Sequence, residues 1–478
     1  MSRINTNVSA LISARVLNTN NGNLSKSLER LSTGLRINRG ADDPAGLIAS
    51  ENLRKQITGT EAAVKNAERG INIIGTAEGS LNEVNAMLLD LQGLLTEVAN
   101  KGGMSAEEID ANQLQVDSIL NSINRIANAT EFQGMKLLNG NKAYTTSGVA
   151  ATIIGSLKVN AAKLIDGATM TVDVATVNSA DTGVVYLSGA VSTTALTIQI
   201  ASNRGTTELT FAAATTAAQI RTAINAVAEV TGVSAGTSGA VTLLRSRDFG
   251  SDAYVSVDVL AGAQTSGTKV MQTYGSGTTS AKDYGVNYSA RINGTSATGN
   301  GKKLTLRTAM LDLEIDLTNA AALSTATETF YITGGGADFA LGALVDAVGL
   351  ESIGIQNISI ASLGNSTDGY LSTLKSGGTN ALTSDNLVTG QRIVNSAIKD
   401  ISSLRGRLGA FQKNTLETTI NALNVTKENL MSAESAIRDT DFASETANLT
   451  RSQILVNAAT SVLAQANVAP QSVLTLLR

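Results

Sequence analysis

Apolar residues recur every three or four positions near both ends of the chain and every second position in its middle. The three-four spacing is typical of amphipathic helices, and the alternating spacing is typical of half-buried strands. The pattern therefore predicts an α+β protein in which long, coiled-coil-like helices from both termini form a rod around an inserted β-rich domain. The two ends of the sequence must meet in space to close that core.

One apolar stripe opens the chain, and Gly34 weakens the helix that carries it. Asp43 and Pro44 then predict a strong helix start, because the carboxylate can cap free amides and proline loses no hydrogen bond at the first helical position. A near-heptad seam follows from Leu53 to Val98, long enough for a helix of about 75 Å. The opening stripe, which we expect to pack between subunits, consists of Ile4, Val8, Leu11, Ile12, Val16, Leu24, Leu28 and Leu31.

The same spacing returns after Ser384 or Asp385, where a helix is expected to begin, and is interrupted at 439–441. A last helix follows, and Pro470 is expected to start a separate apolar turn. We expect the last stripe to pack between subunits as well; its members are Ile454, Leu455, Ala458, Val462, Leu463, Val473, Leu474 and Leu477.

Each terminal stripe is only one helix wide. Because an isolated helix of this size is marginal in water, residues 1–42 and 441–478 are expected to fold only when neighbours bury them. Residues 43–165 and 345–440 are expected to form the rod with a small β element. Residues 166–344 are the β-rich part, with one helix over about 216–229. No polar or aromatic cluster in that part predicts a ligand site.

Composition excludes most enzyme classes. With 0 His and 0 Cys in 478 residues, a Ser-His-Asp triad, a thiol nucleophile and a conventional zinc site are all ruled out. Carboxylate or lysine chemistry stays open in principle, but no constellation of such residues indicates it, so we expect no catalytic, metal or cofactor-binding residue. The net charge of −4 shows no nucleic-acid footprint. No apolar run predicts a membrane span, and the first residues lack the apolar core of a cleavable signal peptide.

Several motifs, in the same order along the chain, resemble those of bacterial flagellin. The resemblance covers about the first 140 and last 125 residues, and the stretch of about 195–259 resembles a small insert found in many flagellins. The motifs are Ser27-Leu28-Glu29-Arg30-Leu31-Ser32-Thr33-Gly34-Leu35, Ala41-Asp42-Asp43-Pro44-Ala45-Gly46-Leu47, Leu404-Arg405-Gly406-Arg407-Leu408-Gly409 and Ser461-Val462-Leu463-Ala464-Gln465-Ala466-Asn467.

The resemblance implies a structural, non-enzymatic subunit that self-polymerises into the extracellular flagellar filament for motility. Residues 1–42 and 441–478 would form the inner tube, and residues 166–344 the outer surface. It also implies type III export without a cleavable signal, an export chaperone on the C-terminal helix, and cap and hook-associated proteins as partners. A hook–filament junction protein of the same family, or an adhesin acting through the outer domain, stays open as an alternative.

One segment departs from the resemblance. Flagellins that activate the vertebrate Toll-like receptor carry an Arg and a Glu in a run that aligns here with Leu89-Asp90-Leu91-Gln92-Gly93-Leu94. Asp90 replaces the Arg and reverses its charge, and Gly93 replaces the Glu. Since an anchoring Arg contributes about 2 kcal/mol or more, we predict weak or absent receptor activation.

Overall fold

The computed structural model describes residues 6–100, 103–164, 168–188, 195–238, 241–261, 269–271, 280–325, 327–344, 346, 348–384 and 386–476; the side chains of 188, 269–271 and 469–476 are outside that description. The chain divides into two compact units. The first contains 1–69, 340–349 and 415–478, and the second contains 70–339 and 350–414. Long terminal helices and a β-rich centre confirm the predicted α+β class.

The described residues contain nine α-helices, one 3-10 turn at Leu371–Leu374 and one π-helical segment at Gln412–Glu417, which links α7 to α8. The α-helices are α1 (Val8–Thr33), α2 (Pro44–Val98), α3 (Ala106–Ala129), α4 (Ala217–Ala226), α5 (Ala228–Thr231), α6 (Asn319–Ala322), α7 (Leu387–Phe411), α8 (Thr418–Arg438) and α9 (Phe442–Leu476).

Two helix boundaries differ from the sequence expectation. The return helix begins at Leu387, because the Ser384 hydroxyl donates to Ala381 O (2.7 Å) in the preceding turn; Asp385 lies outside the described residues. Helix α9 continues through Pro470 to Leu476 instead of breaking there. Proline removes only one backbone hydrogen bond, and the carbonyl it frees has another donor, described below.

In the first unit, α8 runs antiparallel to the first half of α2 and is joined to it by charged groups. Lys427 Nζ lies 2.9 Å from Glu61 Oε1, and Arg438 Nη1 lies 3.0 Å from Glu51 Oε1. No residue of α8 is buried. The apolar stripe of α8 is only half-buried, and the ion pairs add at most about 1 kcal/mol each.

In the second unit, the rest of α2 packs with α3 and α7. Gln92 Nε2 donates to Asn395 Oδ1 of α7 at 3.2 Å, and Thr130 at the end of α3 bonds Ser80 at 3.0 Å. Ser105 and Glu108 form the capping box that starts α3. From Ile74 onward the predicted seam of α2 is fully buried; its buried members are Ile74, Ala77, Leu81, Val84, Leu88, Leu91, Leu95 and Val98.

The middle of the chain forms antiparallel strands. They are β1 (Glu131–Phe132), β2 (Met135–Lys136), β3 (Tyr144–Ser147), β4 (Ile154–Ala162), β5 (Met170–Asn178), β6 (Val184–Ser188), β7 (Leu196–Ser202), β8 (Thr206–Phe211), β9 (Val233–Ser238), β10 (Val241–Ser246), β11 (Tyr254–Ala261), β12 (Lys269–Met271), β13 (Ser280–Tyr284), β14 (Ser289–Ile292), β15 (Thr295–Ser296), β16 (Thr298–Asn300), β17 (Lys303–Arg307), β18 (Leu311–Leu317), β19 (Glu328–Gly335), β20 (Ala337–Ala340), β21 (Leu350–Ile353), β22 (Gly364–Asn365) and β23 (Gly369–Tyr370).

These strands build two separate cores. In the first, called the β-domain, the sheets β15-β14-β5-β19-β3 and β16-β17-β18-β4 enclose Phe330. In the second, called the insert, the sheets β12-β6-β10-β9 and β13-β11-β7-β8 share a core with α4 around Ile198 and Ile224. Strands β3 and β4, which the sequence assigned to the rod, thus pair within the β-domain. The expected helix over 216–229 is capped by Thr216 and divides at Val227 into α4 and α5.

Candidate assembly interface

The terminal helices α1 and α9 pack along each other in antiparallel orientation. The sequence treated each as a separate one-helix stripe, so this pairing corrects that expectation. Three contacts set the register: Asn7 Nδ2 donates to Ala466 O (2.7 Å), Asn20 Nδ2 donates to Leu455 O (3.4 Å), and Arg30 Nη1 lies 3.5 Å from Glu445 Oε2.

Asn7 makes two contacts that begin and anchor this pair. Its Oδ1 accepts from Ala10 N (3.0 Å) and caps α1, while its Nδ2 donates to Ala466 O. Pro470 stands four residues after Ala466 and has no N–H to offer that carbonyl. The Asn7 side chain therefore takes the place of the missing helical donor, which lets α9 continue past its proline.

The seam between α1 and α9 consists mostly of small or polar side chains. They recur every three or four positions, as expected for one helix face, and are Asn7, Ala10, Ala14, Leu17, Asn20, Leu24, Ser27 and Leu31 on α1, with Glu445, Asn448, Ser452, Val456, Ala459, Leu463 and Ala466 on α9. Only Ser27, Glu445 and Ala459 are buried among them. The pairing therefore hides little apolar surface.

The larger apolar residues of the predicted stripes lie mainly outside this seam. On α1, Val8, Leu11, Ile12, Val16 and Leu28 are 44 to 64% exposed. On α9, Ile454, Leu455 and Val462 are 45 to 62% exposed, and Ala458 is exposed too. We call these nine residues the apolar face. Leu24, Leu31 and Leu463 are half-buried in the seam.

Four of the predicted packing residues are not characterised by the structure. Ile4 and Leu477 lie outside the described residues. Val473 and Leu474 lie in α9, but their side chains are not described. These positions stay predictions.

A short backbone pairing ties the two terminal helices to the rest of the first unit, and the sequence did not reveal it. Leu35 pairs with Asp439, Arg36 N donates to Arg438 O (2.7 Å), and Thr440 N donates to Gly34 O (2.9 Å). Gly34 ends α1 with a φ of +75°, a conformation that glycine adopts without strain. The only sequence signals were that glycine and the break at 439–441.

The turn from α1 to α2 is held by Asp42 and Asp43. Asp42 Oδ1 lies 2.7 Å from Lys26 Nζ, and its other oxygen accepts from Arg39 N (3.1 Å). The Lys26 hydrogen bond and then this backbone donor lower the pKa of Asp42 to about 2. Asp43 Oδ1 accepts from Gly46 N (2.9 Å) and caps α2, which begins at Pro44.

The segment 89–94, compared above with receptor-activating flagellins, lies near the C-terminal end of α2. Leu91 is buried, Leu89 is half exposed, and Asp90 and Gly93 are exposed; Gln92 and Leu94 are intermediate. The two departures from the run thus lie on the accessible side of the helix.

The structure shows an aromatic cluster on the insert that the sequence analysis did not predict. Lys282 Nζ lies 4.0 Å from the ring centroid of Tyr254 and 4.7 Å from that of Tyr284, and the two rings are 5.8 Å apart. The residues come together only because Tyr254 and Tyr284 are paired across β11 and β13. The Lys-x-Tyr spacing within β13 was the sole signal in the sequence.

Within the described ranges, no group of three or more acidic residues is placed to hold a metal ion. No described helix combines the length and the apolar character needed to cross a lipid bilayer. The exposed apolar face of α1 and α9 is therefore the surface considered below as the functional site.

Comparisons with known proteins agree with that description. The family model for the bacterial flagellin N-terminal helical region matches residues 4–143, and that for the C-terminal helical region matches residues 392–477. A flagellin from Clostridium tyrobutyricum is 32% identical, over 97% of this chain and 98% of its own length. The B-type flagellin of Pseudomonas aeruginosa is 33% identical over 99% of both chains.

The chain belongs to the bacterial flagellin family. It is a structural subunit of the flagellar filament, and the full-length flagellin relatives favour this role over that of a junction protein. The flagellin hook IN motif matches residues 196–243, within the insert. A solved flagellar hook associated protein-3 from Legionella pneumophila is 11% identical, covers 81% of this chain and 98% of its own, and has a TM-score of 0.31.

Proposed function

We propose that this flagellin polymerises through the apolar face of α1 and α9, so that the filament buries what the subunit leaves exposed. The supporting observation is the distribution described above: the seam within the subunit is mostly small or polar and holds five half-buried aliphatic residues, whereas eight Val, Leu and Ile side chains outside it are 44 to 64% exposed. Several large aliphatic side chains exposed together on one helix pair often mark a surface that binds another molecule.

Energetics favours this arrangement. Burying a Val, Leu or Ile side chain contributes about 1.5 to 3 kcal/mol, and eight of the nine residues of the apolar face are of these types. Head-to-tail contacts between identical subunits that do not close a ring produce an open helical fibre. The terminal helices would then lie inside the filament, with the β-domain and the insert on its outer side.

The test compares three valine-to-serine variants. Val8→Ser and Val462→Ser remove apolar groups that are 56% and 57% exposed on the apolar face, and Val177→Ser removes one that is 55% exposed on β5. Serine and valine have similar helix propensity. The two terminal variants should each raise the critical concentration for seeded polymerisation about tenfold, the equivalent of about 1.4 kcal/mol per contact. Val177→Ser should not change it.

Sedimentation of polymer and negative-stain images of filaments provide the readout. Equal critical concentrations for all three variants and the parent chain would show that the apolar face is not the polymer contact. Unchanged unfolding curves for the three monomers confirm that assembly, and not folding, was affected.

We further propose that residues 1–42 and 441–478 gain most of their stability on assembly. The seam contains only three buried residues, and α8 contains none. Amide exchange should therefore be fast in α1 and α9 of the monomer and slow in the filament. Terminal helices that are protected in the monomer as strongly as α2 would contradict this proposal.

Before the subunit reaches the filament, the exposed apolar side of α9 must be shielded from premature association. We infer that an export chaperone binds α9, and that cap and hook-associated proteins contact the polymer outside the cell. A chain ending at Thr440 should lose the co-purifying chaperone while retaining a folded β-domain. Retention of the chaperone by that truncated chain would place its site elsewhere.

Weak activation of the vertebrate Toll-like receptor follows from the exposed Asp90 and Gly93. Purified monomer should give a smaller reporter-cell response than an enteric flagellin. The double change Asp90→Arg with Gly93→Glu should raise the response, whereas Gly75→Glu, a change on the same helix outside the aligned run, should not. A strong response from the parent chain would refute the proposal.

A further inference from the structure

The insert and α7 face each other across a charged cavity in the second unit. The cavity has a volume of about 410 Å³, and its lining comes from three parts: Arg204 and Asp248 of the insert, Lys302 and Asp316 of the β-domain, and Lys399 and Asp400 of α7. Arg204 pairs with Asp248 (2.5 Å), and Lys302 lies 3.7 Å from Asp316. The charges of the insert and the β-domain are thus paired within their own parts, while Asp400 of α7 lies 2.6 Å from Lys158 Nζ of β4.

One ion pair crosses from the insert to α7 among the described residues. Arg392 Nη1 of α7 lies 3.0 Å from Glu229 Oε2 of α5, and Arg392 Nε lies 2.9 Å from Asp368 Oδ1. The other oxygen of Glu229 pairs with Arg247 of the insert itself. Both arginines lower the pKa of Glu229, Arg247 more than Arg392. Glu229 therefore stays ionised at neutral pH and contacts both arginines at once.

The base of the insert is narrow and is built from backbone. Asp181 and Val286, on the two linkers to the β-domain, exchange hydrogen bonds of 2.9 and 3.0 Å. Gly250 approaches Gly301 so closely that an added Cβ would lie 2.6 Å from the Gly301 Cα, and Gly285 leaves only 2.6 Å for a Cβ to Gly250 O. Two side chains also cross this base: Asn287 Oδ1 accepts from Ser251 N (3.0 Å) and Gly301 N (2.8 Å), and Phe249 packs against the β-domain core. The base is thus a small joint, and hinges often use small residues such as its glycines to absorb a change of backbone angle.

We propose that the insert is an arm hinged at this glycine base and latched to α7 by the Glu229–Arg392 ion pair, and that salt releases it. The inference does not depend on filament formation. Glu229 is about half exposed and Arg392 about a quarter exposed, so the pair contributes up to about 1 kcal/mol, or about a fivefold shift in population. Screening lengths fall from about 10 Å at 0.1 M salt to about 3 Å at 1 M.

The chain has 0 Cys, so two introduced cysteines give unique spin-label sites in the full-length monomer. Ala226→Cys on the insert and Val388→Cys on α7 replace exposed residues. Pulsed electron–electron double resonance should show one main distance between the two spin labels at low salt. A second population should grow about fivefold relative to it at 1 M salt, or at low salt in Arg392→Gln and Glu229→Gln.

Two matched variants test the specificity of the latch. Arg247→Gln removes the partner that Glu229 has within the insert, and Asp368→Asn removes the second partner of Arg392; both leave Glu229–Arg392 intact. Neither should change the low-salt distances. A single distance distribution in every variant and at both salt concentrations would overturn the proposal. A shift in Arg247→Gln as large as that in Arg392→Gln would also overturn it, because Glu229 would then act within the insert.

Discussion

The second half of α2 and the pair α1–α9 carry the same three-four apolar spacing, yet the protein treats them in opposite ways. In α2 the stripe is buried completely, from Ile74 to Val98. In α1 and α9 most of the large side chains face water, and the seam consists mainly of Ala, Ser and Asn with a few half-buried aliphatic residues. An apolar stripe therefore shows that a helix needs a partner, but not whether that partner is the same chain or another copy.

The largest expected effect separates these two kinds of stripe. Leu88→Ala in α2 should lower the free energy of unfolding by about 2 to 5 kcal/mol, because it leaves a cavity in a fully buried site. Leu11→Ala in α1, where the side chain is 64% exposed, should change it by less than about 0.5 kcal/mol. Urea unfolding of monomers measures both. Similar losses would mean that α1 is as well packed within the subunit as α2.

A smaller effect tests how Asn7 supports the terminal pair. Asn7→Ala should cost about 1 to 2 kcal/mol of local stability, since it removes a helix cap and the donor to Ala466 O. In a Pro470→Ala background the restored N–H satisfies that carbonyl, so the cost should fall toward that of the cap alone. Amide exchange in α1 and α9, measured for the parent, the two single variants and the double variant, gives the coupling between Asn7 and Pro470. Equal costs in both backgrounds would show that Asn7 does not compensate for the proline.

Acid should loosen the turn between α1 and α2 before it affects α2 itself. The pKa of Asp42 is lowered from 3.8 to about 2, so its stabilising effect is complete above pH 3.8 and is lost as the pH falls toward 2. Such an exposed pair contributes about 1 kcal/mol or less. As the pH falls through that range, the amides near Arg39 should lose protection against exchange relative to an unfolded chain at the same pH. Asp42→Asn should remove this pH dependence, and its persistence in the variant would assign the effect to another group.

The smallest effect contrasts two glycines of α2. Gly93 has open space where a Cβ would go, so Gly93→Ala should stabilise the helix by about 0.5 to 1 kcal/mol. At Gly59 a Cβ would lie 2.3 Å from Ala343 O, so Gly59→Ala should destabilise instead. Thermal unfolding shows whether each variant is more or less stable than the parent chain. If both substitutions stabilise the protein, the backbone at Ala343 must move at little cost to make room for the new Cβ of residue 59.

Much of the fold could be predicted from spacing alone. The starts at Pro44 and after Ser105, the break at 439–441 and the division into helical ends and a β-rich centre all follow from local chemistry: caps, glycines and apolar periodicity. Strand membership was harder, because β3 and β4 follow the rod helices in sequence but pair with β19 and β18 through contacts distant in sequence. The assembly stripes were identifiable as apolar, and only the structure showed which of their residues face the partner helix.

The sequence by itself determined that this chain has no histidine or cysteine chemistry, that its ends are helical and that their apolar surface needs a cover. These conclusions depend on residue identity and on spacing along one helix, which are local properties. Tertiary structure alone decided that Asn7 donates to the carbonyl freed by Pro470, that mostly small or polar residues occupy the α1–α9 seam, and that Glu229 of the insert contacts Arg392 of α7. Each of these depends on the register between segments far apart in sequence, and no local pattern encodes that register.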